Sequence, residues 1–222
     1  NGILFIADEV VTAFGRVGHW FASQDVFGIE PDIIVSAKGL TSGYLPLGAT
    51  IYSDAVHEAI SQPGPDVWFA HGFTYSGHPV CCAVGNKNIE IIEREGLLAH
   101  AREVGDHFEK RLRELEELQI VGNVRGMRLM MCVEYVADKT TKAQLPDEIN
   151  ISKRISNLCE ERGLLVRPLG HLDVMSPPLT LTRKEADFLV DTLRGAIEEV
   201  THALQKEGLL PKLSRPFQRG GN

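Results

Sequence analysis

The chain has 222 residues, is 43% hydrophobic and 24% charged, and carries a formal net charge of -7. This composition is ordinary for a globular protein, and the acidic balance excludes the basic face that broad nucleic-acid binding needs. No run of about 18 apolar residues occurs, so no membrane span is expected, and cysteine usage without a disulfide pattern leads one to expect a cytoplasmic protein. The chain opens as Asn1-Gly2 and enters the apolar run Ile3 to Ala7 at once. The run has no alternation, so residues 2–8 read as a strand buried on both faces, as in the middle of a parallel sheet. A central strand needs neighbours on both sides. The sequence therefore reads as part of a longer chain whose earlier strands are missing.

Residues 9–18, with Gly15 and Gly18, read as a loop, and residues 19–27 as a short helix ended by Gly28. Trp20, Phe21 and Phe27 fit the packing of that helix. Ile33-Ile34-Val35 is a second short strand, and residues 47–52 are a third. Ser53 or Asp54 can cap the helix that follows. Pro63, Gly64 and Pro65 mark a loop, and Trp68 and Phe69 fit a buried strand. From Pro79 to about Glu93 the pattern is helical, with the proline suited to the first turn.

After Gly96, the residues Leu97, Ala101, Val104, Phe108, Leu112 and Leu115 recur at steps of three and four. They form one apolar stripe on a solvated helix that connects two domains. Gly122 and Gly126 then flank a turn, Leu129 to Val136 reads as a strand, and Asp138 to Asp147 as a polar loop. A helix is predicted over residues 148–161, ended by Gly163. Leu164 to Val166 follows as a short strand with which Asp173 to Ser176 can pair. Thr182-Arg183-Lys184-Glu185 fits a capping box, and the helix it starts buries Leu189, Leu193, Ile197, Val200 and Leu204. The tail from Arg215 to Asn222 is polar, glycine-rich and expected to fray. Cys81, Cys82, Cys132 and Cys159 form no CxxC pair, and none has a His at zinc-ligand spacing. Reduced, mostly buried thiols and no metal site are expected. Parallel strands followed by a smaller mixed unit give an α/β fold in two domains. Residues 1–95 form the larger, residues 96–117 the connecting helix and residues 118–222 the small C-terminal domain.

The chemistry gathers at the ends of the first two strands. Asp8 closes one and Lys38 lies just past the other, and parallel α/β sheets bind ligands at the carboxyl ends of their strands. An acid closing so apolar a strand is costly unless a cation meets it. A protonated pyridine nitrogen would meet it, and an acid opposite a Schiff-base lysine is the signature of pyridoxal phosphate (PLP). The alternative is a plain Asp8–Lys38 ion pair at the strand edge.

The surrounding blocks decide between these. They run Asp8-Glu9-Val10-Val11-Thr12-Ala13-Phe14-Gly15-Arg16, then Pro31-Asp32-Ile33-Ile34-Val35-Ser36-Ala37-Lys38-Gly39-Leu40, then Gly43-Tyr44-Leu45-Pro46-Leu47-Gly48-Ala49, and finally His71-Gly72-Phe73-Thr74-Tyr75-Ser76-Gly77-His78-Pro79. Together, in this order and spacing, they resemble the class III (omega) aminotransferases of PLP fold type I. The resemblance is strong over residues 1–95 and general beyond. It implies part of the PLP-binding large domain, with a mostly parallel sheet, plus a smaller C-terminal α/β domain. It implies pyridoxal 5'-phosphate as cofactor, with Lys38 as the catalytic lysine that holds it. Asp8 would pair with the pyridine nitrogen and Val10 would lie against the ring. Val11 stands where many members carry a Gln that contacts the ring hydroxyl. Thr74 matches a threonine that reaches the cofactor phosphate of the neighbouring subunit, which implies a homodimer with its site at the interface. Leu164 to Gly170 resembles the stretch whose arginine, here Arg167, pairs with a substrate carboxylate in pyruvate-using members; a guanidinium can bind both oxygens at once. The implied substrates are a small amine or omega-amino acid and a 2-oxo acid such as pyruvate. The same scaffold serves decarboxylases and aminomutases, and a non-catalytic truncated homologue is the rival from another class. By the same resemblance, the chain is expected to be inactive without its N-terminal half, where the family's glycine-rich phosphate loop lies. Arg16 reads as a structural ion-pair residue, and His71 and His78 as hydrogen-bonding loop residues.

Overall fold

A computed structural model describes residues 2–62, 64 and 69–211. The expectations for Pro63, Pro65, Trp68 and the tail from Arg215 lie outside the described residues. Two compact units emerge. One comprises the described residues of Asn1–Glu109, Met127–Met130 and Ser176–Arg183; the other, those of Lys110–Gly126, Met131–Met175 and Lys184–Asn222.

The first unit holds a three-stranded sheet of β1 (Ile6–Asp8), β2 (Ile33–Ser36) and β3 (Ala49–Tyr52), in that order. β1 and β2 are parallel, with Asp8 opposite Val35, and β3 runs antiparallel to β2. Helices α1 (Ala22–Asp25), α2 (Asp54–Ile60) and α3 (Pro79–Arg94) belong to this unit. Ser53 caps α2 by accepting from the Val56 amide at 3.5 Å, and Pro79 opens α3, both as the sequence leads one to expect. The unit's core gathers Ala13, Phe14, Leu40 and Ile92, with Trp20 and Phe21 edge-on to the Phe14 ring.

Three apolar segments depart from expectation here. β1 is shorter than residues 2–8 and among the described residues pairs with β2 alone; Ile3 is 82% exposed, and Leu4, Phe5 and Ile6 are exposed with it. Phe27 is exposed because α1 stops at Asp25, before that residue is reached. Phe69 is also exposed rather than sited in a buried strand.

The helix α4 (Leu97–Arg113) carries the predicted stripe: Ala101, Val104, Phe108 and Leu112 are buried, and Leu115 follows in a 3-10 turn at Glu114–Glu117. In the second unit a four-stranded sheet has the order β4 (Val121–Met127), β5 (Met130–Tyr135), β7 (Leu172–Met175) and β6 (Arg167–Leu169). β7 runs antiparallel to both β5 and β6. Alternation along β5 and β7 puts Met131, Val133, Tyr135, Asp173 and Met175 on one buried face. The helices α5 (Ile151–Glu161) and α6 (Arg183–Lys206) supply buried Ile151, Ile155, Leu193 and Ile197 to the same unit. Gly122 and Gly126 lie inside β4 rather than flanking a turn; at Gly122 a Cβ would sit 2.5 Å from Val136 Cγ1, so the neighbouring chain leaves no room for a side chain. The strand expected at Leu164 to Val166 begins instead at Arg167, because the Leu164 amide still closes the end of α5 on the Cys159 carbonyl at 2.9 Å. All four cysteines are free, and Cys81 and Cys159 are buried. Among the described residues no helix is long and apolar enough to cross a membrane, and no group of three metal-ligating side chains occurs.

Candidate active site

Because β1 and β2 are parallel, the chain leaves both at the same sheet edge. Asp8 is the last residue of β1, and Lys38 follows β2 by two positions. The Val10 amide donates to Asp8 Oδ1 at 3.0 Å, so the first turn beyond β1 folds back on the carboxylate. Both Asp8 and Lys38 are exposed, and among the described residues neither makes an ion pair. The plain strand-edge pair considered from sequence is therefore not formed.

Lys38 has φ +36°, a left-handed conformation that an L-residue adopts only when its surroundings impose it. It opens a 3-10 turn over Lys38–Thr41, and Ser42, also left-handed, ends that turn. The other side of the turn is walled by the loop after Asp8. A Cβ at Gly39 would stand 3.0 Å from the Ala13 carbonyl oxygen and 3.1 Å from Phe14 Cβ, so glycine is what fits there.

That loop is fixed by Glu9, which sequence reasoning quoted only as part of a motif. Glu9 is 3% exposed. Its carboxylate accepts from Thr12 Oγ1 at 2.6 Å, the Ala22 amide at 2.9 Å and the Ser23 amide at 2.6 Å, the last two at the start of α1. Burial alone would raise the carboxyl's pKa; the bonds from Thr12, Ser23 and Ala22 outweigh it and hold the group below the usual range. An ionised Glu9 thus ties the residue next to Asp8 to a helix start. Arg16, expected in an ion pair, instead donates to the carbonyls of Leu129, at 3.1 Å, and Pro177. Its burial lowers the guanidinium's pKa.

Thr74 lies exposed in a turn just before α3, where the Phe73 amide donates to Ser76 Oγ at 3.0 Å. The turn borders a groove of about 1180 Å³ lined by Leu45, Leu47, Phe69, Phe73, Tyr75 and Val80. His71 and His78 line this groove too. Their rings pack against Phe69 and Tyr75, and among the described residues His78 Nδ1 has no hydrogen-bond partner. Arg167 opens β6 in the second unit, exposed, opposite Val174, and among the described residues it makes no ion pair. The structure thus gathers Asp8, Val10 and Lys38 at one sheet edge, sets Thr74 on a separate loop of the same unit, and carries Arg167 on the other unit.

Comparison with known proteins bears on this arrangement. The family model for aminotransferase class-III matches residues 1–197. A diaminobutyrate–2-oxoglutarate transaminase of Halomonas elongata is 40% identical over 215 residues, covering 94% of this chain and 45% of that protein. A putrescine–pyruvate aminotransferase of Pseudomonas aeruginosa is 39% identical over 207 residues, covering 91% of this chain and 43% of that protein. Among solved structures, a PLP-bound amine transaminase from an uncultivated Pseudomonas species superimposes with a TM-score of 0.85 at 43% identity, covering 89% of this chain and 45% of that one. The chain spans less than half the length of these relatives. The α/β architecture expected from sequence is thereby shared with solved transaminases, and this chain belongs to the class-III aminotransferases.

Proposed function

We propose that this chain carries the lysine half of a PLP-dependent aminotransferase site, which moves an amino group from an amine or omega-amino acid to a 2-oxo acid such as pyruvate. The observation that carries the reading is Lys38 itself. It is a left-handed lysine, without an ion pair among the described residues, at the sheet edge where Asp8 also ends its strand. The donor set fits the cofactor: an amine for its aldehyde, a carboxylate with one oxygen turned to the Val10 amide, and a hydroxyl at Thr74 for phosphate. When bound, PLP supplies an aldehyde that condenses with amines and a ring that accepts electrons.

The roles of the protein's residues follow from their chemistry. Asp8 would keep the ring nitrogen of the bound cofactor protonated, and Val10 would offer the ring an apolar face. Lys38 Nζ would hold the cofactor as an amine and, when free, would serve as the base that moves the substrate's proton. Arg167 holds the carboxylate of the 2-oxo acid with two parallel N–H bonds. Thr74 serves the phosphate of a neighbouring subunit, so the working form is a homodimer of the complete protein. The relatives named for pyruvate and 2-oxoglutarate support a 2-oxo acid acceptor.

The test uses the chain with PLP, borohydride and peptide mass spectrometry. The reading expects the reduced label on the Lys38 peptide and its loss in Lys38→Ala. Label spread evenly over the exposed lysines, unchanged by Lys38→Ala, would refute it.

A further inference from the structure

A side chain outside the recognised motif blocks grips the turn that Lys38 begins. Asn88 lies on the face of α3 that also carries the buried residues Cys81, Gly85 and Ile92. Its Nδ2 donates to the Gly39 carbonyl at 2.8 Å and to the Leu40 carbonyl at 3.2 Å, and its Oδ1 accepts from Ser42 Oγ at 2.7 Å. Carbonyls only accept, so the amide nitrogen must face them and the amide oxygen is left for the serine hydroxyl. Both donor hydrogens of Asn88 are thus spent on the two residues that follow Lys38.

The helix is built to come this close. A Cβ at Gly85, one turn before Asn88, would fall 2.9 Å from Leu47 Cδ2 and 3.8 Å from both Leu40 Cδ1 and the Leu40 carbonyl oxygen. A Cβ there would displace the tip of Leu47, while the contacts with Leu40 stay at ordinary van der Waals distance. On the opposite side, Ala13 and Phe14 close against Gly39. The turn has its own bonds, from the Leu40 amide to the Ala37 carbonyl at 2.9 Å and from the Ser42 amide to the Gly39 carbonyl at 3.2 Å. These bonds close the turn without tying it to the rest of the unit. The left-handed backbone at Lys38 needs an external restraint, and Asn88 supplies three hydrogen bonds toward one.

We infer that Asn88 is a positioning residue for Lys38: its amide clasps the Gly39 and Leu40 carbonyls and the Ser42 hydroxyl, and so holds the lysine in its left-handed conformation at the sheet edge shared with Asp8. The inference rests on Lys38 being the cofactor lysine, but the clasp itself is testable without a cofactor.

The experiment compares the chain with Asn88→Ala and with the near-isosteric Asn88→Asp, which keeps the shape but turns an acceptor toward two carbonyls. Hydrogen exchange at the Leu40 and Ser42 amides is expected to speed up roughly tenfold in Asn88→Ala and further in Asn88→Asp, with β2 amides unchanged. In parallel, PLP and borohydride label the lysines, and the ratio of label on Lys38 to that on the exposed Lys153 is read by mass spectrometry. That ratio is expected to fall by roughly tenfold in both variants, as for a reacting group moved off its geometry. Exchange and ratio both equal to wild type would overturn the clasp. Exchange that rises alike across β2 and α3 would also overturn it, since the change would then be a general loosening. If wild type itself labels Lys38 no better than Lys153, the cofactor reading fails, and the exchange comparison alone decides the clasp.

Discussion

Asp173 in the second unit offers a sharp physical test, because it is a buried acid with too few donors. It is 0% exposed, on the inner face of β7. Tyr135 Oη donates to its Oδ2 at 2.6 Å, while its Oδ1 has no partner among the described residues. Burial pushes the Asp173 carboxyl up from its ordinary 3.8 to about 6, against the lowering effect of the tyrosine bond. Burial also holds the Tyr135 phenol well above its usual range, with the Asp173 charge adding to the effect. At about 1.4 kcal/mol per pH unit, the displacement of Asp173 corresponds to ~3 kcal/mol. The sign is set by which state keeps the proton. Below pH ~4 the carboxyl is neutral in both the folded and the unfolded chain, and its contribution to stability is at its fullest. Between pH ~4 and ~6 the unfolded chain releases the proton while the folded one retains it, so stability falls as pH rises. Above about pH 6 the whole ~3 kcal/mol is lost. Asp173→Asn keeps an acceptor for Tyr135 and cannot ionise. The unfolding free energy of Asp173→Asn minus that of wild type is therefore expected to rise by ~3 kcal/mol between pH 3 and pH 7.5. Any constant offset from placing an amide in the acid's site cancels in that comparison. Urea-dependent hydrogen exchange of α6 amides, read by mass spectrometry, follows the second unit alone. A difference that stays flat with pH, or falls, would show that Asp173 is not the buried titrating group described here.

Two further perturbations follow from the packing. Glu9→Gln leaves one acceptor oxygen for three donors and turns its amide nitrogen toward a backbone N–H, that of Ala22 or of Ser23, so a loss of ~1–3 kcal/mol is expected in the first unit. Since the Glu9 carboxyl is held low, the stability it contributes in wild type is present above the unfolded value and lost as pH falls, the opposite sense to Asp173; urea melts followed by Trp20 fluorescence at pH 4 and pH 7 read both effects. Leu112→Ala empties a fully buried site on α4 and should cost ~2–5 kcal/mol, seen as a lower urea midpoint with an unchanged slope.

The periodic elements were legible because periodicity states burial directly. The three- and four-residue spacing of Ala101, Val104, Phe108 and Leu112, and that of Leu193, Ile197, Val200 and Leu204, needs one face covered whatever covers it. The short segments were less so. Ile3 to Ala7 reads as doubly buried because every residue is apolar, yet burial depends on the strands on either side, and among the described residues β1 pairs with β2 alone. Arg167 was found through its motif while its strand was misplaced by three residues, because Leu164 to Val166 is apolar enough for a strand but close enough to α5 to be drawn into the helix end. Asn88 did carry a local signal: a polar amide on the otherwise apolar stripe of Cys81, Gly85 and Ile92. Such a residue must find partners, and the partners are forty-six to forty-nine positions away.

The two buried acids show where sequence reading runs out of physics. Glu9 and Asp173 look alike in the chain, each a carboxylate set at or beside the end of an apolar strand. Burial pushes both toward the neutral form. They part because donors differ in number. Three hydrogen bonds, two of them from backbone amides at a helix start thirteen and fourteen residues on, hold Glu9 ionised. Among the described residues a single phenol, thirty-eight residues back on another strand, is all that donates to the Asp173 carboxylate. A charged group with three donors is a rigid fixture, which suits the residue that anchors the loop after Asp8. A group with one donor and an oxygen unpartnered among the described residues keeps its proton above the usual carboxylate range, so the second unit loses stability as pH rises where the Asp8 loop loses it as pH falls. The distinction lies in the register of β5 against β7, where Val133 stands opposite Asp173 and Tyr135 reaches diagonally to it. A one-residue slip of that register would put Asp173 on the other face and abolish the pairing, so the protonation behaviour of this acid is a direct readout of the sheet's alignment.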